Sequence, residues 1–218
     1  MISVPEPHII GNMNKSRAVS ISVAVCLCLL ASSSCANKSS KFKFTMQRDA
    51  VMDMVGQNVR TEKVYRDLDT ILIADVLLYK PEIKRSGVKQ AKDEGRIDAE
   101  QDKEMFADIA DKESKEVEFL AGVYTGDKRW NDLDKNNSMW RVTLKTADGS
   151  WVTPSSITKL KLDKMQDAWL FPFLTEWKYA YRIVFPKTPA IAGVNSYTLR
   201  ITSVVGEGTF NWDLTPPK

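Results

Sequence analysis

The chain holds one histidine, His8, and three cysteines, Cys26, Cys28 and Cys35. Their positions decide most of the chemistry open to it. Cys26 and Cys28 lie inside an uncharged run, residues 18–31, between bulky apolar neighbours. Cys35 follows three serines, and no cysteine comes after it. Residues beyond Cys35 therefore cannot close an internal disulfide, and they contain no histidine. This excludes from that part His-based triads, cysteine nucleophiles, and zinc or copper held by His or Cys. Reaction chemistry would fall to carboxylates, Lys, Tyr or Ser, as in the carboxylate pairs of glycoside hydrolysis. No cofactor is expected.

Two sets of carboxylates are worth weighing. Asp67 and Asp69, two apart on an expected strand, would point the same way and could share a proton or a cation. They fall near the strand's entrance, where solvated carboxylates are ordinary. Asp132, Asp134, Asn136 and Ser138 have the alternate-residue oxygen spacing of a calcium loop. Such a loop wants Gly at its sixth position and Glu at its twelfth, and these are Asn137 and Thr143. A polar loop between strands is the better reading, and no metal is expected.

Six tryptophans could stack on sugar faces. Trp140, Trp177 and Trp212 share the apolar parity of their strands and are expected in the core. Trp130 and Trp169 fall in loops. With Phe171 and Phe173 of the apolar segment 169–174, they are the candidate glycan or partner contacts. That segment reads equally as a covered connection.

The elements that must position these residues follow from periodicity. A short helix is expected within 46–59 and a long, mostly buried strand over 64–79, stopped by Pro81. Residues 82–116 are charged at more than half their positions, and they read as two helices near 82–94 and 98–115. Asp98 three residues before Gln101 is a capping-box pattern. Met105, Phe106, Ile109 and Ala110 give the second helix a narrow apolar stripe. From Val117 onward apolar and polar residues alternate in short runs, with Asp148-Gly149 as a hairpin turn. The expected fold is mainly β: an antiparallel immunoglobulin-like β-sandwich of seven or eight strands, with a charged helical insert after the first long strand.

Residues 1–34 read as an export signal. Lys15 and Arg17 precede the uncharged run, whose fourteen residues would span about 21 Å as a helix. That is short of the roughly 30 Å hydrocarbon core and suits a signal-peptide apolar region. Met13 begins a more usual signal start than Met1, so translation is expected to begin there. Cleavage after Ala36 fits the small-x-small rule, with Ser34 and Ala36. Residues 29–35, Leu-Leu-Ala-Ser-Ser-Ser-Cys, also resemble the end of a bacterial lipoprotein signal, with Ser32 where that family usually has leucine. The resemblance implies cleavage before Cys35 and its diacylation, and a solitary cysteine makes most sense as that anchor. Two or three acyl chains, at about 0.8 kcal/mol per buried CH₂, would hold the protein essentially permanently. Ala36 and Asn37, rather than Asp, follow the cysteine. In that family this implies an outer-membrane rather than an inner-membrane address, facing the periplasm.

Residues 35–45 then form a lipidated tether and 46–218 a single domain. Of 31 basic and 28 acidic residues, only Lys15, Arg17 and Glu6 lie in 1–34, leaving a net charge of about +2. So balanced a charge argues against nucleic acid. The expected function is a non-enzymatic envelope lipoprotein that binds or assembles with another envelope protein. The alternatives are a carboxylate-dependent hydrolase or binding protein acting on envelope glycans, and a purely structural subunit.

Overall fold

The computed structural model describes residues 50–161 and 170–214. Helix α1 (Ala50–Asn58) leads into strand β1 (Val59–Arg66), which turns back as β2 (Asp69–Leu78). The single strand expected over 64–79 is therefore a hairpin. Its turn, Asp67 and Leu68, contains no glycine to announce it. Asp67 itself takes the left-handed conformation, at φ 56°, which a short hydrogen-bonding side chain tolerates better than most. Beyond the turn β2 alternates as expected. Leu72, Ala74, Val76 and Leu78 enter the main core, while Asp75 and Leu77 face the other way.

The two expected helices are present as α2 (Pro81–Asp93) and α3 (Ala99–Lys115). Pro81 opens α2, where its fixed φ and missing N–H cost nothing. Asp98 caps α3 by accepting from the amides of Glu100 at 2.9 Å and Gln101 at 2.8 Å. The Gln101 side chain completes the box by accepting from the Asp98 amide at 3.0 Å. Of the apolar stripe on α3 only Ile109 is buried, and Met105 is exposed. Among the described residues no helix is long and apolar enough to cross a membrane.

The rest is strand: β3 (Glu116–Thr125), β4 (Arg141–Lys145), β5 (Trp151–Val152), β6 (Ser156–Leu160), β7 (Tyr179–Pro186), β8 (Ser196–Ser203) and β9 (Gly206–Asp213). A four-residue helix, α4 (Pro189–Ala192), precedes β8. Every pairing is antiparallel. The strands form a five-stranded sheet in the order β1-β2-β3-β7-β6 and a four-stranded sheet in the order β5-β4-β8-β9. Among the described residues nine strands replace the seven or eight expected, the extra one being β1.

The architecture is a two-sheet β-sandwich whose core is rich in aromatic rings. Phe119 lies 5.1 Å from Trp212 and edge-on to Phe185 at 5.9 Å. One seam is stitched where β1 meets β9. Arg60 Nε donates to the Asn211 carbonyl at 2.9 Å, and Trp212 Nε1 to the Asn58 carbonyl at 2.6 Å. A second, smaller core covers the outer face of the five-stranded sheet. There Val51 and Val55 of α1, Ile83 of α2, and Leu170 and Phe171 pack on Leu77 and Leu120. The four-stranded sheet has exposed outward positions instead, Arg141, Lys145, Glu207 and Asn211.

Candidate functional site

The residues expected to make contacts do not converge. Trp130 ends a single 3₁₀ turn (Lys128–Trp130), half-buried, and its carbonyl accepts from Trp140 Nε1 at 2.8 Å. The next residue, Asn131, is buried and donates to the Val123 carbonyl at 2.7 Å. The Tyr181 hydroxyl donates to the Asn131 carbonyl at 2.7 Å, and burial raises the pKa of that phenol. This loop is stitched into the core rather than offered to a ligand. Phe171 is 1% exposed and meets Tyr79 edge-on at 5.5 Å, with Phe173 half-buried beside it. The covered-connection reading therefore describes residues 170–174, and Phe171 is corrected from contact to core. Trp169 and Cys35 lie outside the described residues.

The calcium-like spacing closes on itself as a polar loop, with Ser138 Oγ donating to Asp132 Oδ1 at 2.8 Å. Among the described residues no three of His, Cys, Asp and Glu group as metal ligands. Asp67 and Asp69 are both exposed, one in the turn and one at the start of β2, so they build no acid–base pair. Trp140 and Trp212 are core as expected, at 5% and 1% exposure. Trp177 is not: it is 72% exposed. The chain turns at residues 175–178, where the Lys178 amide donates to the Thr175 carbonyl at 3.0 Å, and β7 begins only at Tyr179. Strand parity does not reach back to Trp177.

The structure does gather two buried carboxylates on the outer face of the five-stranded sheet. Asp75 on β2 and Glu118 on β3 are 7% and 8% exposed. Asp75 receives Lys178 Nζ in an ion pair, and the hydroxyl of Thr61, its partner across the ladder, at 2.5 Å. Gly122, opposite Asp75 on the other side, leaves the space. A Cβ there would stand 2.9 Å from Leu174 Cδ2 and 3.4 Å from the Lys178 stem. Glu118 is held by Lys84 of α2 at 2.6 Å and by Arg182 of β7, with Nε at 2.7 Å and Nη2 at 3.2 Å. Desolvating a carboxylate this far is tolerable only with such pairing. These contacts fasten α2 and the connection before β7 to the sheet.

A cleft of about 310 Å³ opens beside Glu118, where the helices leave the sandwich, with Tyr79, Lys112, Glu113 and Lys187 on its walls. Glu113 pairs with Arg85, and its carbonyl accepts from Lys187 Nζ at 2.9 Å. Glu113 and Glu118 are thus committed to cations, an arrangement that holds α2 and α3 in place. It does not position an acid and a base.

The end of the sandwich carries a different feature. Turns β1–β2 and β8–β9 lie side by side, since a Cβ on Gly206 would meet Val64 Cγ1 at 2.6 Å. Their tips present Leu68 and Val204, 101% and 96% exposed, with Tyr65 at 57%. Sequence pattern could not find this trio, because Leu68 fits the strand parity expected across the turn. No protein-family model matches the chain, and a search of curated proteins finds no relative.

Proposed function

We propose that this protein is a non-enzymatic lipoprotein of the bacterial cell envelope, held by lipid on Cys35 and acting through its sandwich as a binding or assembly module for another envelope protein. The observation that carries the binding role is the trio Tyr65, Leu68 and Val204, three apolar side chains gathered at one end of the fold and left in solvent. The residue types past Cys35 support the absence of enzymatic chemistry, as does the commitment of the buried carboxylates to Lys178, Lys84 and Arg182. Strand order supports the finer, immunoglobulin-like reading. The chain changes sheets between β3 and β4, β5 and β6, and β7 and β8. Strands β2-β3-β7-β6 then follow an A-B-E-D order and β5-β4-β8-β9 a C′-C-F-G order, with β1 added at an edge and α2–α3 inserted between A and B.

The test has two arms in cells producing the full chain. Labelling with a palmitate analogue is expected to mark the protein and to be lost in Cys35→Ser; an unlabelled wild type refutes the anchor. Crosslinking in intact envelopes is expected to recover one stoichiometric protein partner, lost in a Leu68→Asp, Val204→Asp variant that still folds. Recovery unchanged by that variant refutes the assignment of the tip.

A further inference from the structure

The outer face of the four-stranded sheet holds an arginine that meets its carboxylate partner only loosely. Arg200 on β8 lies over the ring of Trp151, its guanidinium carbon 4.0 Å from the ring centroid. Stacking of this kind fixes the plane of the fork without occupying its donors. Among the described residues Arg200 makes no hydrogen bond, and its buried Nε has no partner. Its ion-pair partner is Glu207, an exposed carboxylate 3.8 Å from Nη1, close enough for a weak charge contact but beyond hydrogen-bond range. Directly opposite in the ladder is Thr143, 4% exposed, whose hydroxyl is also without a partner. Two unsatisfied polar groups side by side are unusual in a folded protein and call for an explanation.

The surroundings say what the outer edge of the fork, its Nη atoms, would meet. Arg141 and Lys145 share the outward parity of Thr143 on β4, so three cations lie on this half of the face. Lys145 also stands at the rim of a cleft of about 330 Å³, lined further by Thr146, Asn195, Ser196 and Thr198. That volume is at the lower end of small-ligand sites, roughly 300–1,000 Å³. Its polar lining is the Lys145 ammonium, the Asn195 amide and the hydroxyls of Ser196, Thr146 and Thr198. Thr146 donates to Asp148 and Thr198 to Asn211 at 2.9 Å, which leaves their oxygens to accept from sugar hydroxyls. A pre-oriented fork next to it suits a planar or tetrahedral oxyanion, which it can grip with two parallel bonds.

We infer that this face binds an acidic saccharide, a sugar ring seated in the cleft beside Lys145 and Thr198 with its carboxylate or phosphate on Arg200. Trp151 is a positioning residue that holds the guanidinium plane. The inference does not depend on the lipid anchor or on the apolar tip, which lie outside its test.

The experiment is a titration of the isotope-labelled mature chain, followed by backbone and arginine Nε–H resonances. A uronic-acid oligosaccharide and a hexose phosphate are the probes, with the neutral oligosaccharide, inorganic phosphate and a short poly-glutamate peptide as comparisons. Shifts are expected at Arg200, Lys145, Thr198 and the Trp151 indole with at least one acidic sugar, and binding at least about tenfold weaker to the neutral one. The response to the uronate or to the phosphate tells which acid group is read. Arg200→Ala is expected to weaken binding at least about tenfold and Arg200→Lys to restore part of it, because an ammonium keeps the charge but not the fork. The inference is overturned if neither acidic sugar shifts these residues. It is equally overturned if inorganic phosphate or poly-glutamate binds as tightly, which would make the face a general anion site.

Discussion

The two outer faces of this sandwich both carry an arginine, and they treat it in opposite ways. On the five-stranded sheet Arg182 lies under the helical layer and meets Glu118 through two nitrogens. On the four-stranded sheet Arg200, equally half-buried, lies over Trp151 and faces Glu207 only at 3.8 Å, with no side-chain hydrogen bond among the described residues. The first face spends its charges on holding α2 and the segment before β7. The second keeps its charge available. A buried carboxylate such as Glu118 must be satisfied from within the fold, because water cannot reach it, whereas the exposed Glu207 is solvated and need not hold its arginine closely. The difference separates structural charge from binding charge without reference to any relative.

The comparison can be broken most directly at Glu118. Replacing it with alanine leaves Lys84 and Arg182 beside an empty, mostly buried site, and a loss of about 3–5 kcal/mol is expected. Urea unfolding measures it, and a loss below about 1 kcal/mol would make the covered network ornamental. Next is Gly122→Ala. The added methyl meets Leu174 and the Phe173 carbonyl at 2.9 and 3.3 Å. Overpacking of this kind costs about 1–3 kcal/mol, to be read as a lower melting temperature. Arg200→Ala on the four-stranded sheet should cost no more than about 1 kcal/mol of stability while weakening saccharide binding at least about tenfold. A large destabilisation there would assign Arg200 to the fold.

The smallest effect concerns pH. Asp148, in the exposed turn between β4 and β5, accepts from the Thr146 hydroxyl and from the amide and hydroxyl of Ser150 at 3.0 and 2.8 Å. These bonds, the Thr146 one foremost, bring its pKa down to about 2 from 3.8. A carboxylate depressed in the folded state favours folding above its unfolded pKa and loses that contribution as the pH falls. Titration of the Asp148 carboxyl by NMR should therefore find its midpoint near 2, and the turn should loosen between about pH 4 and pH 2. A midpoint near 4 would mean the turn is not held by this side chain.

Much of the fold was legible because burial imposes a period. Val117, Phe119, Ala121 and Val123 share one parity because that face of β3 enters the main core, and the capping box at Asp98 is a purely local device. Errors fell where a local signal was missing or overran. The β1–β2 turn has no glycine, so parity ran straight through Leu68. Strand parity before β7 likewise extended to Trp177, although the chain turns there. Phe171 was ambiguous because an apolar segment reads the same whether helices cover it or solvent does. Of the candidate sites little was legible. Asp75 and Glu118 showed as polar interruptions of apolar strands, but Lys178 is 103 residues from the first and Arg182 is 64 from the second.

What the sequence determined by itself is what depends on composition and nearest neighbours. No histidine or second thiol follows Cys35, the helices start at Pro81 and after Asp98, and the strands alternate with period two. What only the tertiary structure decided is which charges are paired and which apolar tips are exposed. Arg182 and Arg200 sit on strands of similar pattern, and nothing near either in the chain tells them apart. The distinction arises because helices and a connection from distant parts of the chain bury Glu118 on one sheet and leave Glu207 on the other to solvent. Pairing, exposure and the strength of a charge all follow from that cover.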